Sequence, residues 1–147
     1  MGKQRLIPFG EELKLVDDYL AIEGYRYEER LTVNFDIASK TKNQMVPPLM
    51  IQTLVENGIK HGISNLPKGG VLSIKAKTIN NMLEVSITNS GQFDPNKKTD
   101  MGFGLENTKE RLRLLYGGEA NFEIKNKNEN EVICTLILPQ NTLSYEN

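Results

Sequence analysis

Val71-Leu-Ser-Ile-Lys-Ala-Lys77, then Asn80-Asn81, then Leu83-Glu-Val-Ser-Ile87 is the stretch that decides the fold. Leu72, Ile74 and Ala76 alternate with Ser73 and Lys75; Leu83, Val85 and Ile87 alternate with Glu84 and Ser86. A period of two puts successive side chains on opposite faces, so each run reads as a strand buried on one face only. The paired asparagines supply the tight turn that returns one strand beside the other. A hairpin with a single apolar face needs a second layer to cover it.

The flanking sequence supplies that layer. Upstream, Leu13, Val16 and Leu20 recur at helical spacing within 11–23, and Leu31, Val33, Phe35 and Ile37 alternate as a further strand. After the polar loop 39–44, Pro47-Pro48 opens a helix over 49–61, with proline in its favoured first turn. Downstream, 90–101 is rich in Gly, Pro, Asn and charge and reads as a long loop. A helix over 104–116 follows, closed by Gly117-Gly118, and then strands over 121–125 and 132–138 joined by the polar turn 126–130. The order helix, strand, helix, strand, strand, helix, strand, strand predicts a two-layer α/β sandwich, a mixed sheet with helices on one face.

Composition narrows the function. The 147 residues, 38% of them apolar, suffice for one domain with a real core. Eighteen basic against nineteen acidic residues give a net charge of −1, which argues against a nucleic-acid partner or an anionic membrane surface. One cysteine, Cys134, excludes an intramolecular disulfide framework and a cysteine zinc site, and one histidine, His61, excludes a histidine metal cluster. No apolar run is long enough to span a bilayer and the start has no signal-peptide pattern, so a reducing, cytoplasmic setting is expected with no membrane insertion.

On the helix over 49–61, Ile51, Leu54, Val55, Gly58 and Ile59 share one arc. Thr53, Asn57, Lys60 and His61 gather on the other, with Glu56 at its edge. Such a stripe is either a solvated face or a site. Asn57 tips the balance, because asparagine is an indifferent helix former and here it stands mid-helix, away from any cap. Its amide oxygen is a hard, neutral ligand suited to Mg²⁺, and Lys60 one turn on suits phosphate. Gly102-Phe-Gly-Leu-Glu-Asn107 then places glycines at a helix start, where free N–H groups attract anions. The spacing matches neither a P-loop nor a dinucleotide-binding turn.

Three segments stand in fixed order: Leu49-Met-Ile-Gln-Thr-Leu-Val-Glu-Asn-Gly-Ile-Lys-His-Gly62, Val85-Ser-Ile-Thr-Asn-Ser-Gly91, and Gly102-Phe-Gly-Leu-Glu-Asn-Thr-Lys-Glu-Arg-Leu-Arg-Leu-Leu-Tyr-Gly117. Together they resemble the N, G1 and G2 boxes of the ATP-binding domain of sensor histidine kinases, most closely the LytS/YehU-like family. Glu12 to Glu23, followed by Arg26, is similar to that family's lead-in segment. The resemblance implies the Bergerat ATP-binding fold over 31–139, a lead-in helix within 1–30 and a polar tail over 140–147. It implies that Asn57 binds Mg²⁺, that Lys60 and His61 lie near the phosphates of ATP, that 92–101 is the ATP lid, and that Gly102, Gly104 and Leu105 cradle phosphate. The G1 positions Asn89 and Gly91 are implied to serve the base.

The chain departs from the family pattern at several positions. Asn89 stands where an aspartate usually accepts from the adenine amino group, and Phe93 stands where a glycine is expected. An amide still accepts that bond, but a freely flipping amide also donates to a guanine carbonyl, so reduced selectivity for adenine is expected. Gly58 replaces the usual alanine at a cost of about 1 kcal/mol in helix propensity. Related ATPases carry a water-activating glutamate four residues before the metal-binding asparagine; here that position is Thr53, which favours phosphoryl transfer over hydrolysis. Glu56 either orients the incoming histidine or metal-bound water, or is simply solvated.

The resulting expectation is a catalytic domain that passes the γ-phosphoryl of ATP to a histidine on upstream dimerisation helices and thence to a response regulator. His61, within the N box, is not the expected acceptor. The rival readings are a non-catalytic nucleotide-sensing scaffold and, in third place, a related serine kinase or ATPase.

Overall fold

A computed structural model describes residues 6–94 and 98–140, with the backbone alone for 98–104. Five strands form one mixed sheet: β1 (Leu31–Ile37), β2 (Gly70–Ile79), β3 (Met82–Ser90), β4 (Asn121–Asn126) and β5 (Glu131–Pro139), in the order β1-β2-β3-β5-β4. The β2–β3 hairpin forms as the alternation requires, and Asn80 and Asn81 both take positive φ (49° and 65°) in its turn. β1 runs parallel to β2, a pairing that needs a crossover, and the segment carrying the helix α2 (Met50–His61) provides it.

The strands bury alternate residues. In β3 these are Leu83, Val85, Ile87 and then Asn89, so an amide continues an apolar row. Ile51, Leu54, Val55 and Ile59 of α2 pack on that face with Val16 and Leu20 of α1 (Phe9–Tyr27) and Leu105 and Leu112 of α3 (Lys98–Tyr116), in one continuous core. The lead-in helix is therefore part of the same core, and each aliphatic side chain fully buried there contributes roughly 1.5–3 kcal/mol. Phe35, expected on the buried side of its strand, is 43% exposed because β1 is an edge strand that the helices only partly cover.

The helices run longer than their sequence patterns. α1 extends to Tyr27, and α3 begins at Lys98 rather than Gly104. Pro47-Pro48 do not occupy the first turn of α2; they precede its N-cap, Leu49, which adopts the left-handed conformation (φ 66°, ψ 2°). A two-residue antiparallel pairing of Ile7-Pro8 with Met45-Val46 was outside the reach of periodicity.

No side chain of its own caps α2. Instead Glu12, fully buried on α1, accepts from the Leu49 N–H (2.9 Å) and the Gln52 N–H (3.1 Å). A carboxylate at a helix N-terminus satisfies orphaned donors and complements the helix dipole. From α3, Arg111 donates to the Pro48 carbonyl at 3.1 Å, so the start of α2 is held from both neighbouring helices.

Candidate functional site

The core face of the sheet ends in a pocket beneath α2. Asn57 and His61 reach it from α2, Asn89 from β3, Leu105 from α3, and Cys134 from β5, with Phe93 beyond the end of β3. These residues are assembled by elementary spacing. Asn57 and His61 are one helical turn apart, and Asn89 is the last inward residue of a strand whose other inward residues are aliphatic.

Asn89 is 7% exposed, and its Nδ2 donates to the Ser90 carbonyl at 2.9 Å. That bond fixes the amide, since a flip would set Oδ1 against a carbonyl oxygen. One of the two Nδ2 hydrogens is thus committed to the strand itself, which opposes the free flip expected from sequence, and Oδ1 lies toward Gly58 of α2. Gly58 explains itself here. A Cβ at that position would stand 3.0 Å from Asn89 Oδ1, so the helix gives up propensity to approach the amide. At Gly62 the crowding is tighter, with a Cβ 2.3 Å from Asn89 Nδ2 and 2.8 Å from the Ser90 carbonyl oxygen. Gly91, at φ 132°, closes the same contact: a Cβ on it would lie 3.0 Å from the Gly62 Cα.

Asn57 Nδ2 is buried and has no hydrogen-bond partner among the described residues. A buried, unsatisfied amide costs about 1–3 kcal/mol, and a bound ligand would remove that cost. Thr53, at the position of the water-activating glutamate in related ATPases, spends its hydroxyl on the Leu49 carbonyl at 2.8 Å.

The other expected site residues separate. Glu56 and Lys60 do not line the pocket with Asn57; they face a cleft of about 430 Å³ shared with Tyr19, Glu23 and Arg26 of α1. Gln52 Nε2 donates to Glu56 at 2.9 Å. Burial pushes the Tyr19 hydroxyl from 10.0 up to about 12, and the carboxylates of Glu23 and Glu56 add to the shift. Gly91 borders a neighbouring groove with His61. Gly102 and Gly104 lie inside α3, so the free helix start expected at Gly104 is not there. The Leu105 side chain is 2% exposed and forms an apolar part of the pocket wall. Of the expected lid over 92–101, residues 95–97 lie outside the described residues. Cys134 is buried, as its place in a strand predicted, and burial raises its thiol from 9.0 to about 12.

Sequence reasoning marked Phe93 only as a missing glycine and passed over Asn126 and Glu12. Phe93 is the one aromatic in the sequence between β3 and α3, and an aromatic in so polar a stretch was the available signal. Glu12 carried none, because its burial depends on where α1 docks.

A sheet of this order, covered by helices on one face and closed by paired asparagines, defines the fold of a histidine kinase catalytic domain. The nucleotide-free catalytic domain of the histidine kinase ThkA superposes with a TM-score of 0.68 at 18% identity, covering 95% of this chain and 98% of that one. Full-length ShkA in complex with AMPPNP gives 0.65 at 12% identity, over 94% of this chain and 32% of that one. No family model matches the chain. The chain nevertheless belongs to the LytS-type sensor histidine kinases. It is 33% identical to the sensor protein LytS of Staphylococcus saprophyticus over 158 aligned positions, covering 99% of this chain and 26% of that protein. It thus spans about a quarter of that relative's length.

Proposed function

We propose that this chain binds Mg·ATP and supplies the catalytic half of a phosphoryl transfer to a histidine outside it. The observation that carries the reading is Asn57, whose buried Nδ2 has no hydrogen-bond partner among the described residues and which lines the same pocket as Asn89, so that Nδ2 is free to donate to a phosphate while Oδ1 remains for the cation. ShkA, which shares the fold, is described in complex with an ATP analogue, and that supports a nucleotide here.

Asn57 fits Mg²⁺, since its amide is a neutral oxygen donor held rigidly on a helix. When bound, the ion would neutralise phosphate charge without adding a protein anion beside it. Asn89 offers one fixed acceptor to an amino group on the base, with Ile87 and Cys134 giving apolar contact. Lys60, one turn from Asn57 although its side chain lines the α1 cleft, would have to change rotamer to serve as the cation at the phosphate side, whereas His61 already lines the pocket. Glu56 shares the α1 cleft with Lys60, which supports a role toward an incoming residue rather than toward the base. With Thr53 tied to the helix backbone, water has no carboxylate base at that position, which favours transfer to a positioned acceptor. The acceptor histidine, on helices upstream in the full protein, and the response-regulator aspartate beyond it follow from the same reading, as does a cytoplasmic location. Among the described residues no helix is long and apolar enough to cross a membrane.

Calorimetry with Mg·ATP tests this. Wild-type chain should bind, and Asn57→Ala should lose at least about tenfold in affinity when Mg²⁺ is present and much less when it is chelated. Equal affinity of the two proteins under both conditions would remove Asn57 from the site.

A further inference from the structure

The pocket described above is almost shut. Its free volume is about 30 Å³, the space of one or two waters, whereas small-molecule sites usually offer roughly 300–1,000 Å³. Phe93 is half-buried at its wall and packs against the core. Asn126, at the end of β4, grips the backbone of Phe93 at both polar atoms. The Phe93 N–H donates to Asn126 Oδ1 and Asn126 Nδ2 donates to the Phe93 carbonyl, each at 2.8 Å. The preceding residues are tied to the same β4–β5 turn, through the Gly91 N–H to the Asn130 carbonyl (2.9 Å) and Gln92 Nε2 to the Glu129 carbonyl (2.6 Å). Gly91 to Phe93 is therefore held like a short extra strand, and its one aromatic side chain forms part of the wall that narrows the cavity where a base would go.

We propose that Phe93 is the gate of the base site and Asn126 its latch, so that a purine enters only when the latch releases. This rests on the nucleotide reading given above. The latch sets the fraction of molecules competent to bind, and apparent affinity falls by that fraction. Asn126 does not line the pocket, so changing it alters the latch without altering the wall.

The test is Mg·ATP binding to wild type, Asn126→Ala, Asn126→Asp, Phe93→Ala and the Asn126→Ala/Phe93→Ala pair, by calorimetry and stopped flow. Asn126→Ala and Phe93→Ala should each tighten binding roughly tenfold and speed association. Asn126→Asp, which keeps the acceptor and loses the donor, should fall between. The pair should gain no more than either single change, because both act on one latch. Exchange of the Phe93 amide should be slow in free protein and faster at saturating nucleotide. Weaker binding by Phe93→Ala would make its ring a wall of the occupied site and overturn the gate. So would unchanged affinity in Asn126→Ala, or a Phe93 amide still protected in the complex. If neither wild type nor any variant binds, the nucleotide reading itself falls; binding by wild type with unmoved variants strikes the gate alone.

Discussion

Asn57 and Asn89 show how much of a site one side chain can announce. Asn57 was legible because an amide in mid-helix serves no helical purpose, and its buried Nδ2 has no partner among the described residues. Asn89 was legible as a position but not as an orientation, since only the Ser90 carbonyl fixes which end of the amide faces the pocket. The orientation carries a consequence for selectivity. With one Nδ2 hydrogen committed to Ser90, the proposed base contact at Asn89 falls to the Oδ1 acceptor, which suits an amino group and repels a carbonyl, so ATP should outcompete GTP by more than about tenfold. Competition calorimetry checks this, and comparable affinities would mean that the amide turns over. Lys60 and Glu56 were grouped with Asn57 by helical angle, yet the docking of α1 draws them into a separate cleft. Nothing in a helical wheel reports which neighbour will claim a polar face.

At the scale of elements, alternation located all five strands of the sheet to within a few residues, because burial on one face leaves a period of two in the sequence. Helix ends were less legible. Capping of α2 is done by Glu12 from another helix, so no local signal existed at Leu49. The start of α3 was misplaced because glycines usually mark a boundary, and here they lie within the helix. The remote cap is open to test. Glu12→Ala leaves two N–H groups and a cavity buried between α1 and α2, and should cost about 2–4 kcal/mol. Glu12→Gln retains the shape and one acceptor, and should cost about half as much. Urea denaturation measures both, and a Glu12→Ala variant within about 0.5 kcal/mol of wild type would show that the start of α2 needs no cap.

For the whole molecule, stability should have an alkaline limit. The Cys134 thiol rises from 9.0 to about 12 through burial, and the half-exposed Tyr19 hydroxyl rises from 10.0 to about 12. Both are neutral acids, so the native state keeps protons that the unfolded chain releases first. Their contribution is whole below about pH 9 and is lost as pH climbs through the interval up to about 12, with Cys134 dominant because Tyr19 is screened by solvent. Thermal melts from pH 8 to 11 should fall, and Cys134→Ala should flatten the earlier part of that fall. The layered architecture itself was legible, since one-faced strands and amphipathic helices leave few ways to hide both. What sequence withheld was the near-closure of the pocket, which arises from a loop residue meeting a distant hairpin.

The two left-handed asparagines of the β2–β3 turn have a reach beyond their own corner. They set the pairing of Ile79 with Met82, and the ladder carries that phase along the strand to Asn89 opposite Leu72. Seven steps of about 3.4 Å separate Met82 from Asn89, so the amide's inward aim is indexed from roughly 24 Å away. A slip of one residue at that corner would present Thr88 or Ser90 to the interior and turn the amide out into water.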